Sequence, residues 1–229
     1  MANRKRRSRR TAGEHLSETA RLETFADGVI AIAITLLILE IEVPEAGTGE
    51  SLAHALGRQW PSYAAYVVSF LTIGIIWINH HHLFGLIERA NNTFLVLNVV
   101  FLMAIAALPW PTALVAEHLQ NADNRATATL VYGGTMVAIA IMFNVVWRYA
   151  SSGGRLLPEG VDQNELERTN RAYLAGPIVY GLATLLALAN AWVSLAIYAG
   201  LALFYTLPTS GPNPGRLRPN AGSRPGSPR

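Results

Sequence analysis

The sequence predicts an all-α, polytopic membrane protein with six transmembrane helices and both termini in the cytoplasm. Three observations carry this. Only 14% of the 229 residues are charged while 51% are hydrophobic, whereas a soluble domain carries about a quarter charged residues. The apolar runs are unbroken and helix-length, where barrel strands would alternate over about ten residues. The charges are also distributed unevenly along the chain, on alternate sides of successive runs.

The first element is the basic segment MANRKRRSRRT. No short apolar core and small-residue cleavage site follow it, so it does not read as a signal peptide. It is expected to be a cytoplasmic topogenic tail, residues 1–20, and not a nucleic-acid-binding arm; no nucleic-acid partner is assigned. The spans follow near 22–42, 61–82, 93–116, 127–149, 171–190 and 192–208, from the requirement of about 20 apolar residues per crossing. The last two form one apolar run, split at Asn190-Ala191-Trp192 because it is too long for one crossing. With the N-terminus inside, every Lys and Arg except Arg58 and Arg125 falls on the cytoplasmic side, and the outer loops carry Glu45, Glu50, Glu117 and Asp123. That is the positive-inside pattern. The loop 150–170 is expected to be polar, with a short amphipathic helix at its end. The Pro-, Gly-, Ser- and Arg-rich segment 209–229 is expected to be a disordered cytoplasmic tail. The six-helix transmembrane domain is therefore expected to cover residues 21–208.

The most informative stretch is Arg21 to Glu42, RLETFADGVIAIAITLLILEIE. At 100° per residue, Ile32, Thr35, Leu36 and Leu39 share one face, and Phe25, Gly28 and Val29 extend it toward the cytoplasm. This stripe fits a lipid-facing or packing face, or a pore face that closes by dewetting. Asp27 lies one to two turns into the helix. An aspartate at the bilayer centre costs about 2.5–3.5 kcal/mol, and less near an interface. Arg21 lies about 240° round the helix from it, so the two need partners elsewhere. Asp27 reads equally as a functional charge or as part of a polar network at the cytoplasmic end.

Span two ends Trp77-Ile78-Asn79-His80-His81-His82. Three adjacent histidines invite a metal, but consecutive helical residues diverge by 100° and cannot aim at one ion from one helix. One or two are expected to bond Asp27 or another polar group of span one, and the rest to meet water or headgroups. No metal and no catalytic residue is assigned. Asn98 is expected to bond between helices. Pro109-Trp110-Pro111 is expected to kink or end a helix, with Trp110 at the outer interface, and Trp147-Arg148 to be an interfacial anchor pair. Pro177 is a further expected kink.

Absent motifs narrow the function. The chain has no cysteine, hence no disulfide or thiol chemistry. It has no TVGYG-like loop, no Walker A or HExxH motif and no voltage-sensing arginine series.

Arg21-Leu22-Glu23-Thr24-Phe25-Ala26-Asp27 resembles the RxxxFSD signature of the transmembrane protein 175 family of potassium channels, with Ala26 in place of the usual serine. Trp77 with His80-His81 is similar to the family's second signature, and the resemblance covers roughly residues 15–208. It implies a homotetramer with four copies of helix 1 around a pore. Ile32, Leu36 and Leu39 would form hydrophobic constrictions and Thr35 a potassium-preferring layer. Arg21, Phe25, Asp27, Trp77 and His81 would form the structural network holding helix 1, with His80 as an alternative for the histidine. The function implied is passive, non-enzymatic conduction of monovalent cations across the bacterial plasma membrane, with no cofactor beyond the permeant potassium ion. The rival expectations are a proton-coupled or proton-conducting transporter using Asp27 and the histidines, and a non-conducting scaffold on anionic lipid.

Overall fold

The computed structural model describes residues 2–44, 49–158 and 160–206, with side-chain positions from Glu18 onward. The segment 209–229 lies outside these. The described residues form α1 (Ala2–Leu36), α2 (Leu52–Arg58), α3 (Trp60–Phe84), α4 (Asn92–Ala106), α5 (Pro109–His118), α6 (Arg125–Ser151), α7 (Gln163–Leu186) and α8 (Ala191–Thr206).

Four stretches are long and apolar enough to cross a membrane: Glu18–Glu40, Trp60–Phe84, Asn92–His118 and Arg125–Ser151. They correspond to the first four expected spans. α8 is apolar but has only 16 residues. α7 carries Glu165, Glu167, Arg168 and Arg171 in its first half, because the amphipathic helix expected in loop 150–170 is fused to the fifth apolar run.

The first expected span differs at its end. The α-helix stops at Leu36 and continues as a 3₁₀ turn, Leu37–Glu40. The basic segment, by contrast, continues the helix without a break. α1 therefore runs for 35 residues, about 52 Å at 1.5 Å per residue, well beyond the hydrocarbon thickness. The third span is divided. Pro109 cannot donate a backbone N–H, and α5 starts there, with two residues between it and the end of α4 at Ala106.

Side-chain caps set several helix starts. Asn91 Oδ1 accepts from Phe94 N at 2.9 Å, Asp162 Oδ1 from Asn164 N at 2.9 Å, and Asn190 Oδ1 from Trp192 N at 3.0 Å. α6 lies centrally, packing on α4, α5, α7 and α8, while α1 packs on α3 and α4. Trp147, Phe94, Phe101, Ile73 and Ile105 fill the core. One cluster of buried hydroxyls is satisfied across helices: Ser69 Oγ lies 2.9 Å from Thr112 Oγ1 and 3.1 Å from Tyr132 OH.

Trp147 departs from its expected anchor role. It is fully buried, and its Nε1 donates to Asn170 Oδ1 at 2.6 Å. Loop 150–170 is less polar in effect than its composition: Leu156 and Leu157 are buried, and Glu88 N donates to Leu156 O at 2.9 Å.

Candidate functional site

The site is built on α1, whose two faces have different environments. Leu22, Ala26, Ile30, Ala33 and Leu37 recur at three- and four-residue spacing and are buried against the rest of the chain. Ala26, where the family signature has serine, is fully buried in this face, so a methyl group there needs no hydrogen-bond partner. The opposite face is open. Phe25 is 55% exposed, Ile32 61%, Leu36 40% and Leu39 72%, and Thr35 is exposed beside them. The 3₁₀ turn keeps Leu39 on this side, since three residues per turn place it over Leu36. Thr35 Oγ1 donates back to its own helix, 2.9 Å from both Ala31 O and Ile32 O. Its lone pairs remain outward.

The Glu23–Asp27 turn of α1 is tied to α3 by two rungs. Trp77 Nε1 donates to Asp27 Oδ1 at 2.9 Å, and His81 Nδ1 lies 3.0 Å from Glu23 Oε1. Glu23 and Asp27 are four residues apart on α1, as Trp77 and His81 are on α3. Both pairs therefore fall on one antiparallel seam. Trp77 and His81 stack at 5.9 Å with their rings 24° apart.

The three histidines diverge. His80 is fully buried beside Phe84 and Phe101, with Nε2 3.3 Å from Asn98 Oδ1. This corrects the expectation that histidines not bonded to span one meet water or headgroups. His81 turns to α1, and His82 is exposed. Among the described residues no three His, Asp or Glu are placed to hold a metal ion.

Of the residues expected to form the network, Asp27, Trp77 and His81 lie together. Arg21 is exposed and is not joined to Asp27 or Trp77 by any hydrogen bond or ion pair among the described residues. Phe25 faces outward with the Ile32 stripe, and His80 belongs to the α3–α4 contact. Glu23 was missed. Its signal was present, since Glu23 precedes Asp27 by the interval that separates Trp77 from His81.

The family model described as "Endosomal/lysosomal potassium channel TMEM175" matches residues 21–109, the two rungs and the outward face included. A Streptomyces collinus protein, "Potassium channel B446_29190", is 46% identical over 83% of this chain and 92% of its own length. "Potassium channel Cha6605_3372" from Chamaesiphon minutus is 42% identical over 83% of this chain and 95% of its own length. The crystal structure described as a lysosomal potassium-selective channel TMEM175 homolog from Chamaesiphon minutus superposes with a TM-score of 0.76 at 39% identity, covering 83% of this chain and 97% of that one. With the signature segment, the helical order and this extent of similarity in agreement, the chain belongs to the TMEM175 family.

Proposed function

We propose that this protein is a potassium-preferring cation channel of the bacterial plasma membrane. It crosses the membrane six times with both termini in the cytoplasm, and assembles as a homotetramer around four copies of α1. Conduction is passive. Ile32, Leu36 and Leu39 form the hydrophobic constriction and Thr35 the layer that prefers potassium. Asp27, Trp77, His81 and Glu23 hold the helix, with Arg21 and Phe25 completing the network in the assembly.

The observation that supports this most is the division of α1. One face is packed into its own subunit and the other, apolar but for Thr35, is turned away from it. A fourfold ring of isoleucine or leucine narrows a pore below the size of a hydrated ion, so passage needs opening or partial dehydration. The Thr35 proton is engaged by the backbone, so its oxygen offers lone pairs to a cation. The naming of the relatives as potassium channels agrees with this reading.

The proton-transport alternative needs a connected set of titratable groups. Asp27, His81 and His80 instead end on three separate partners, Trp77, Glu23 and Asn98. Planar-bilayer recording of the purified protein separates the two. Single-channel steps carried by potassium without a proton gradient are expected. Flux at turnover-like rates that requires a proton gradient would overturn the channel reading.

A further inference from the structure

Three segments of the chain meet where α4 begins and α6 ends. Gly153, with φ at +64°, turns the chain back just after α6, a conformation that favours glycine. Leu156 and Leu157 are buried, and Glu88 N donates to Leu156 O at 2.9 Å, so the returning loop is fixed to the α3–α4 turn. Tyr149 of α6 is fixed to the same turn. Its hydroxyl donates to Asn91 Oδ1 at 3.1 Å and accepts from Asn91 Nδ2 at 3.0 Å. Arg155 lies over the Tyr149 ring, its Cζ 5.7 Å from the ring centroid. A guanidinium held by its face keeps edge donors for an oxyanion.

This junction is basic. Arg89, Arg148 and Arg155 are exposed, and each is one residue from a contact just named. The only carboxylate within 85–92 and 148–157 is Glu88, so three positive charges meet one negative. On α7, by contrast, Arg168 and Arg171 are paired with Glu165 and Glu167 at 3.1 and 3.7 Å. Among the described residues Arg89, Arg148 and Arg155 form no ion pair with a carboxylate.

The junction also sits at a membrane boundary. The apolar stretches Asn92–His118 and Arg125–Ser151 both have an end here. Ile141 and Val145 are exposed on α6 seven and three residues before Arg148, on the same helical face. One exposed stripe thus passes from side chains suited to hydrocarbon to an excess of arginine at headgroup level. A soluble anion would use only the basic end of it. An anionic lipid uses both parts.

We propose that this stripe is a docking site for an acidic phospholipid of the surrounding bilayer. An acyl chain lies along Ile141 and Val145, and the phosphate is held by Arg148 and by Arg155 on its tyrosine platform. Arg89 adds to the attraction. Each basic residue near a headgroup strengthens binding about fivefold. The site belongs to one subunit and does not depend on where ions pass.

The test uses the full chain in proteoliposomes with two photoactivatable probes, phosphatidylglycerol and phosphatidylcholine. Both carry the same diazirine near the head end of one acyl chain, and only the first has net charge. Labelling is mapped by peptide mass spectrometry and scaled to 178–186, where Ile178, Leu182 and Leu185 are exposed and apolar. The phosphatidylglycerol probe is expected to label 141–149 at least about fivefold more than the phosphatidylcholine probe. In the double variant Arg148→Gln, Arg155→Gln this ratio should fall to within about twofold of one. Both side chains are exposed, so the substitutions change charge and leave the core untouched. Equal labelling by the two probes, or a ratio unchanged in the double variant, would overturn the site. Phosphatidylglycerol enrichment confined to segment 1–20 would assign lipid binding to the basic tail and overturn it likewise, as would cross-links joining two copies of the chain through 141–149. Absent potassium flux with the enrichment intact would count against the channel reading and leave this site standing.

Discussion

The indole Nε1 of Trp77 donates a 2.9 Å hydrogen bond to Oδ1 of Asp27, one helical turn from the Glu23–His81 pair on the same α1–α3 seam. Trp77→Phe keeps an aromatic ring but leaves the half-buried carboxylate without this donor. The expected cost is about 1 kcal/mol, since both groups retain some access to solvent. It should read as a lower thermal midpoint in detergent. Asp27→Asn, which still offers an acceptor oxygen, should lose less. Equal losses in the two variants would contradict the assignment of this bond to the seam.

Thr35 is the only hydroxyl on the outward stripe of α1 between Ile32 and Leu39. Thr35→Val keeps the shape and removes the oxygen. Reversal potentials in mixed potassium and sodium should show the permeability ratio falling several-fold toward one, with conduction retained. Thr35→Ser should preserve most of the preference. A ratio unchanged in Thr35→Val would remove Thr35 from the selectivity layer.

Gly133 sits where α6 meets α7 and α8. A Cβ added there would overlap the Tyr198 hydroxyl and lie 2.6 Å from Thr184 Oγ1 and 2.8 Å from Thr184 Cγ2. Gly133→Ala therefore overpacks this contact, with an expected destabilisation of about 1–3 kcal/mol. Adding Tyr198→Phe should recover part of it by removing one of the overlapping atoms. Thermal unfolding of the two variants checks this.

Pro177 has no N–H to give Tyr173 O, four residues before it, and Asn144 Nδ2 takes that place at 2.8 Å. Asn144→Leu should destabilise by about 1–3 kcal/mol through the orphaned carbonyl. Pro177→Ala restores the N–H, so the loss from Asn144→Leu should shrink in its presence. A double-mutant cycle in chemical or thermal unfolding measures this coupling, and strict additivity would deny it.

Much of this was legible because period and hydrophobicity act locally. The apolar runs that become α3 and α6 stand out in composition alone, and so does the Ile32–Leu36 stripe on α1. Asn98 was readable as interhelical glue, though its partner His80 was not. What stayed hidden depends on which helix lies beside which. Trp147 next to arginine reads as an anchor, and only the packing of α6 on α7 buries it against Asn170. Glu23 looks like a surface carboxylate until α3 brings His81 to it. The amphipathic end of loop 150–170 reads as a separate short helix because charge interrupts the hydrophobic pattern, yet no backbone feature ends the helix there. The switch to 3₁₀ geometry after Leu36 leaves no mark in a periodicity this short.

Whether Ile32 lines a pore, as proposed, can be tested directly, because the chain has no cysteine of its own. A single cysteine at Ile32, Leu36 or Leu39, and as a control at Ile30 on the buried face, would be treated with a charged, water-soluble thiol reagent during potassium flux from proteoliposomes. Block at 32, 36 and 39 but not at 30, with potassium protecting against modification, is the expected result. Flux that persists unchanged at 32, 36 and 39, with those cysteines modified only by lipid-soluble reagents, would place this face against lipid and contradict the pore.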